Sequence, residues 1–356
     1  MAQKSRPTLG KALVLGALLT LAAPGTAYAN TVAVTVHTPG ATLGPSAIDS
    51  SISTDAQCSS GLVSGGGIDQ AIGSGAGVNG NHVLSTEPSS DGSSEYTGTT
   101  GVVGTDVAYW IAKGGSGGQV NSSFSTTPYA MCFSSSLINH TQVVMNKVNA
   151  PTAAATVGLV TASCPSGSVL LGGGALVSPA NTGNFKAIAS FPTFDNSAHD
   201  FGQKAAADGE TNPDSWTAVG WDNSSNAGNE TYAYAICSGS GINVSGVTVT
   251  VRNTEVSGPN TGSTGQNATV GCGSSDGTLV SGGAAISAGG VTTTDFTGPS
   301  SAGDHLNGSF PSDSSGNPVG DGTTTAASWT AFAHTGGMAS TTNHTDAWAL
   351  CANDGS

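Results

Sequence analysis

Leu170-Leu171-Gly172-Gly173-Gly174 follows Cys164, and the same kind of segment follows two other cysteines: Leu62-Val63-Ser64-Gly65-Gly66-Gly67 after Cys58, and Leu279-Val280-Ser281-Gly282-Gly283 after Cys272. Downstream of each lies a Thr/Ser-x-Pro-Ser/Thr element: Thr86-Glu87-Pro88-Ser89, Ser190-Phe191-Pro192-Thr193 and Ser309-Phe310-Pro311-Ser312. A Trp-x-Ala follows, at Trp110-Ile111-Ala112, Trp216-Thr217-Ala218 and Trp329-Thr330-Ala331. Each series closes with an aromatic, Tyr129, Tyr234 or Trp348, three residues before Cys132, Cys237 or Cys351. The opening and closing cysteines are 74, 73 and 79 residues apart. Landmarks that recur in one order at near-constant spacing define an internal repeat.

Upstream of each cysteine pair runs a leader rich in β-branched residues, Thr31–His37, Ile138–Val148 and Ile242–Arg252, of which Val247-Thr248-Val249-Thr250-Val251 alternates as a half-buried strand does. The leaders place the repeats at residues 30–134, 135–238 and 239–356, preceded by residues 1–29. With 53 glycines and charged residues at 8%, the chain is poor in helix formers and rich in turn formers, so the fold class is all-β. Two arrangements satisfy this pattern. One is three tandem antiparallel sandwich or barrel-like repeats, and the other is a pseudo-threefold, β-prism-like assembly of three sheets around one axis.

Trp110, Trp216 and Trp329 share a strand face with Ala112, Ala218 and Ala331, which is read as the core face. The glycine triplets lack the lysine and the following helix of a phosphate-binding loop, so they are expected to mark bulges or close backbone approach. The prolines should end a strand or lie at an edge.

Residues 1–29 read as a cleaved signal peptide: Lys4, Arg6 and Lys11 precede an apolar run from Ala12 to Ala23, and Ala27-Tyr28-Ala29 supplies the small-x-small site. Cleavage leaves no later run of the roughly 20 apolar residues a span requires, so no membrane span is expected after it. A secreted, extracellular location follows, and with it oxidising conditions in which six cysteines form three disulfides, Cys58–Cys132, Cys164–Cys237 and Cys272–Cys351, one per repeat. Beyond residue 29 stand five basic residues against 22 acidic ones, a formal charge of −17. Such a surface repels phosphate backbones, and nucleic acid is excluded as a partner.

Positions common to all repeats are explained by folding, so function is sought where the repeats differ. Four residues before the Thr/Ser of the proline element stand His82, Lys186 and His305, cationic or titratable each time in a chain with few cations. The plain reading is a surface strand position. The functional reading is an acidic ligand or an inter-strand hydrogen bond. Five residues after the repeated tryptophan come Gly115, Trp221 and His334, on the opposite strand face, expected to meet solvent; Trp221 is read either as exposed, stacking on a sugar or a partner, or as buried between modules.

Gly114-Gly115-Ser116-Gly117-Gly118 matches G-x-S-x-G, yet this composition produces such a match by chance, and the nucleophile elbow needs an α/β context. No catalytic residues are assigned. Asp208, Glu210, Asn212 and Asp214 alternate as calcium ligands do, but Pro213 and Val219 stand where an EF-hand loop needs glycine and glutamate, so no cofactor is expected beyond that weak calcium pattern. Sequons occur at Asn139, Asn229, Asn267 and Asn343.

The order Cys-x-x-Gly, Gly-Gly-Gly, Ser-x-Pro, Trp-x-Ala, Tyr-Ala-x-Cys resembles a β repeat of exported actinobacterial-type proteins of unknown function. Cys164-Pro165-Ser166-Gly167, Ser190-Phe191-Pro192, Trp216 and Tyr234-Ala235-Ile236-Cys237 carry the resemblance best. Glu87, Met131 and Ala284 depart from it, as does the longer interval before Pro311. The resemblance implies an extracellular module and brings no activity. The function expected is a non-enzymatic extracellular protein, structural or adhesive, whose modules present strand faces and loops to an extracellular polymer, a glycan, a protein surface or further copies of itself, gaining avidity from tethered sites. A glycan- or cell-wall-binding lectin-like role comes second and a secreted hydrolase third.

Overall fold

In a computed structural model the protein is described at Met1 and at residues 31–71, 80–118, 120, 123–179, 183–224, 228–338 and 340–355. The expected signal peptide, apart from Met1, lies outside the described residues. Repeat 1 contains β1 (Ala33–His37), β2 (Thr42–Leu43), β3 (Ser51–Gln57), β4 (Leu62–Ala71), β5 (Asn81–Ser89), β6 (Gly101–Thr105), β7 (Tyr109–Ser116) and β8 (Ser125–Ser134). Repeat 2 contains β9 (Thr141–Val148), β10 (Thr156–Ser163), β11 (Leu170–Ser178), β12 (Phe185–Thr193), β13 (Ser215–Asp222) and β14 (Glu230–Ser238). Repeat 3 contains β15 (Thr248–Ser257), β16 (Gly265–Gly271), β17 (Thr278–Ser287), β18 (Asp304–Ser312), β19 (Ser328–Thr335) and β20 (His344–Asn353). A 3-10 turn spans Ser197–Gly202.

The strands form three antiparallel sheets, ordered β1-β8-β4-β18-β19-β16, β10-β13-β12-β17-β20-β15 and β3-β7-β5-β11-β14-β9-β6, with β2 pairing β8. Each sheet joins halves of two repeats. In repeat 2, β9, β14 and β11 belong to one sheet while β10, β13 and β12 belong to another, and the two halves pack face to face. Each repeat is thus a small sandwich, and each half continues as a sheet into a neighbouring repeat. The seams are short: Ala175 and Leu176 face Thr86 and Ser85, Ser190 and Ala189 face Ala284 and Ala285, and Ser309 and Gly308 face Ile68 and Asp69. β4, β11 and β17 pack on one another, as do β5, β12 and β18, so the sheets surround a pseudo-threefold axis. The two arrangements read from the sequence are therefore both present: sandwich repeats, assembled around one axis, in open sheets.

The repeated landmarks hold this assembly together. Trp110, Trp216 and Trp329 are fully buried between the halves of their own repeats. Their indole Nε1 atoms donate to Thr86 Oγ1, Ser190 Oγ and Ser309 Oγ at 2.8, 2.8 and 3.0 Å, which explains the hydroxyl of the proline element. The aligned glycine of each segment lies flat on that tryptophan, so a Cβ on Gly66, Gly173 or Gly282 would overlap the ring. The ladder slips between Val63/Gly65, Leu170/Gly172 and Leu279/Ser281, the bulge expected of glycine-rich strands. Pro88, Pro192 and Pro311 lie one residue from their strand ends, beyond the seam ladders, where a missing N–H costs no bond. Disulfides Cys58–Cys132, Cys164–Cys237 and Cys272–Cys351 tie the two halves of each repeat together. Among the described residues no helix is long and apolar enough to cross a membrane.

Candidate binding site

His82, Lys186 and His305 each sit second in β5, β12 and β18, the strands that pack about the axis, and there they meet. The rings of His82 and His305 stack with centroids 5.8 Å apart. Lys186 Nζ lies 3.1 Å from His305 Nδ1, donates to Ala302 O at 2.9 Å and also donates to Asp304 O, so its three donors have three partners. His82 Nδ1 is 2.8 Å from Gly80 O. None of the three is a surface position: their exposures are 1%, 2% and 7%.

Gly115, Trp221 and His334 are the direct cross-strand neighbours of these residues, in the pairs His82↔Gly115, Lys186↔Trp221 and His305↔His334. The two variable positions of the sequence therefore form one cluster. Of the two places read for Trp221 it takes the covered one rather than the solvent-facing one: it is 2% exposed, with the Lys186 ammonium 4.6 Å from its ring. His334 is likewise buried. Alternation placed both on the strand face away from the tryptophan core, but that face is covered here, because the outer side of each sandwich turns toward the axis and the other repeats cover it. In repeat 1 the glycine makes room for the imidazole, since a Cβ on Gly115 would meet His82 Nε2 at 2.7 Å.

Burial sets the protonation of the cluster. It holds His82 down at about 4, with the Lys186 charge adding to the effect. It lowers Lys186 to about 7, against the pull of Asp304, and it lowers His334. Asp304 is raised by burial, opposed by Asn343 and Lys186. Above the cluster opens a cleft of about 370 Å³ lined by His305, Asn184, Asn223, Met338 and a rim of glycines including Gly117, Gly183 and Gly303.

Some participants were not found from the sequence. Asn307, whose Nδ2 donates to Asn81 O at 2.7 Å, occupies the bulged position filled by Leu84 and Ile188 in the other repeats, and only an alignment that allows for the bulge reveals it. Glu87, noted as a departure from the repeat, stands where Phe191 packs on Trp348 and Phe310 on Tyr129. It accepts from Ser85 Oγ at 2.7 Å, and burial raises its carboxyl to about 8.

The calcium pattern separates in space. Asp208 pairs with Arg252 at 3.5 Å, Glu210 with His199 at 3.0 Å, Asn212 Oδ1 accepts from Val249 N, and Asp214 Oδ1 accepts from Asp195 N and Ser215 Oγ. No group of three or more His, Cys, Asp or Glu suited to a metal occurs among the described residues. Ser116 ends β7 and donates to Ala47 O. Asn229 and Asn343 of the sequons are buried and donate to Asp222 Oδ2 and Pro259 O, whereas Asn139 and Asn267 are exposed. No protein-family model matches the chain, and no curated protein is similar to it.

Proposed function

We propose that the protein is a secreted, non-enzymatic adhesive protein that holds an anionic extracellular polymer at the axial end of its three repeats. One observation carries the reading: a position that is His, Lys and His in three equivalent strands converges beneath an open cleft, in a chain of formal charge −14. The equivalent positions make one shared site, so the repeats act together rather than as three tethered ones. Lys186 is saturated and works by orienting His305, whose ring lines the cleft. The glycine rim lets a ligand approach the backbone closely, since no side chain stands in the way, while the Gly117 and Gly303 amides are already engaged with Gly80 O and Ser301 Oγ. A carboxylate-bearing polysaccharide matches this chemistry and unites the adhesive reading with the lectin-like one.

The leader-like N-terminus, the three disulfides and the resemblance to exported modules support secretion. The non-enzymatic reading is supported by Ser116, which stands at a strand end rather than at a strand-to-helix elbow. The test is surface plasmon resonance over immobilised polygalacturonate, with a neutral polymer as reference. Specific binding that falls at least tenfold in His305→Ala is expected. Binding left unchanged by that substitution, or equal binding to the neutral polymer, would sink the reading.

A further inference from the structure

The loop joining β12 to β13 presents Phe201, which at 61% exposure is the one exposed Phe, Tyr or Trp among the described residues. Its backbone is left-handed, at φ 53° and ψ 45°, and so is that of Asp200 before it, at φ 47° and ψ 46°. Two such non-glycine residues in succession, one of them a bulky aromatic, are a strained arrangement that persists only where its surroundings impose it. The surroundings do so. Asn196 Oδ1 accepts from the amides of Ala198 and His199, Phe201 N donates to Asn196 O at 2.9 Å, and Thr217 Oγ1 donates to Gly202 O at 2.8 Å.

The repeats supply an internal comparison. Gly202 rests on Thr161 just as Gly92 rests on Asp55 and Gly316 on Thr269, all three glycines having positive φ. The three loops thus dock on equivalent strand positions, yet only that of repeat 2 turns an aromatic ring outward. Beside the ring is an open groove of about 450 Å³ lined by Asn146, Lys147, Thr161, Ser163, Asp195 and Phe201. The size suits a small ligand, and beside the aromatic face the lining combines the apolar Val148, Leu159 and Val160 with amide, hydroxyl and carboxylate groups and the Lys147 ammonium, which pairs with Glu230. Asp195 accepts from Ser163 Oγ at 3.0 Å, and a carboxylate has further acceptor positions beyond that bond.

We propose that this groove is a carbohydrate subsite for a gluco-configured pyranose, its C–H face stacked on Phe201 and its hydroxyls bonded to Asp195 and Asn146. The gluco configuration suits the flat ring: with every hydroxyl equatorial, the sugar offers an apolar face to the aromatic and a polar edge to the groove. The site is separate from the axial cleft.

Saturation-transfer NMR of the mature chain with cellohexaose and with chitohexaose tests it. Transfer to the ring C–H protons of at least one hexaose is expected, and the one that responds separates a glucan from an amino-sugar polymer. Phe201→Ala, which also relieves the strained backbone, should leave the melting temperature unchanged or higher and weaken binding at least tenfold, while Phe201→Trp retains it. Absence of transfer from both hexaoses, or transfer unaltered in Phe201→Ala, overturns the proposal. Loss of hexaose binding in His305→Ala also overturns it, by moving the site to the axial cleft.

Discussion

Lys186 Nζ lies 3.1 Å from His305 Nδ1 across 119 residues of sequence, joining repeat 2 to repeat 3 at the axis. Removing the ammonium in Lys186→Met leaves the buried carbonyl of Asp304 and the half-buried one of Ala302 without this donor. A stranded buried acceptor costs about 1–3 kcal/mol, a loss that thermal or urea unfolding should show most clearly at alkaline pH, where the amine is neutral in the fold and its removal relieves no buried charge. The pH dependence distinguishes charge from packing. The folded-state pKa, about 7, lies below the unfolded value of 10.5, so the unfolded chain binds more protons between them and this group makes stability rise with pH across that window. Lys186→Met should lack that rise.

His82 adds an acid limb. Its pKa falls from 6.5 to about 4 on burial, so the folded chain stays neutral at this site while the unfolded chain takes up a proton. Stability from this group is full above pH 6.5 and is lost toward pH 4. In His82→Asn, melting temperatures measured between pH 4 and 7 should decline less steeply than in the parent.

Glu87 behaves in the opposite sense. Its folded pKa, about 8, lies above the ordinary 4.5, so its contribution is complete below pH 4.5 and is lost as pH rises through 8. Glu87→Gln keeps the shape and stays neutral. At pH 8.5 it should melt above the parent, and at pH 4.5 the two should agree; equal melting at both values would show that folding leaves the carboxyl's pKa unshifted.

Gly173 is fixed by the ring it touches. Gly173→Ala drives a methyl into Trp216 and the Tyr234 carbonyl, whereas Gly98→Ala meets nothing within 4 Å. Overpacking should cost Gly173→Ala about 1–3 kcal/mol in urea unfolding, while Gly98→Ala changes little.

Much of the fold was legible because it repeats. The tryptophans, glycine triplets and cysteines recur for one reason, the closure of each sandwich over Trp110, Trp216 or Trp329, and period-two alternation suffices to place them. The axis was legible only as an alternative. Nothing local in Ala175 or Thr86 reveals that their strands pair across repeats, since a seam of two residues leaves no periodic trace. For the same reason Lys186 reads as a surface residue and Trp221 as either exposed or buried between modules: a sequence shows which face of a strand is opposite the core, but not whether another repeat covers it. Alignment nevertheless located His82, Lys186, His305 and His334, because equivalent positions in a threefold assembly must lie together when they lie near its axis. Phe201 gave no such signal, as its exposure comes from a loop conformation rather than from a pattern.

The disulfides act within repeats and the seams between them, so the two should separate experimentally. Replacing Cys164 and Cys237 by serine opens a closure of 73 residues, worth about 4 kcal/mol by the loop-closure argument. Non-reducing urea unfolding should shift by that order, with the transition still single.

The most direct test of the shared assembly is the behaviour of repeat 2 alone, residues 135–238, examined by sedimentation and by near-ultraviolet circular dichroism. Its two halves belong to different sheets and rely on β5 and β17 at the seams. The isolated repeat should either lack fixed tertiary structure or assemble as a trimer of itself. A folded, cooperatively melting monomer would contradict the account.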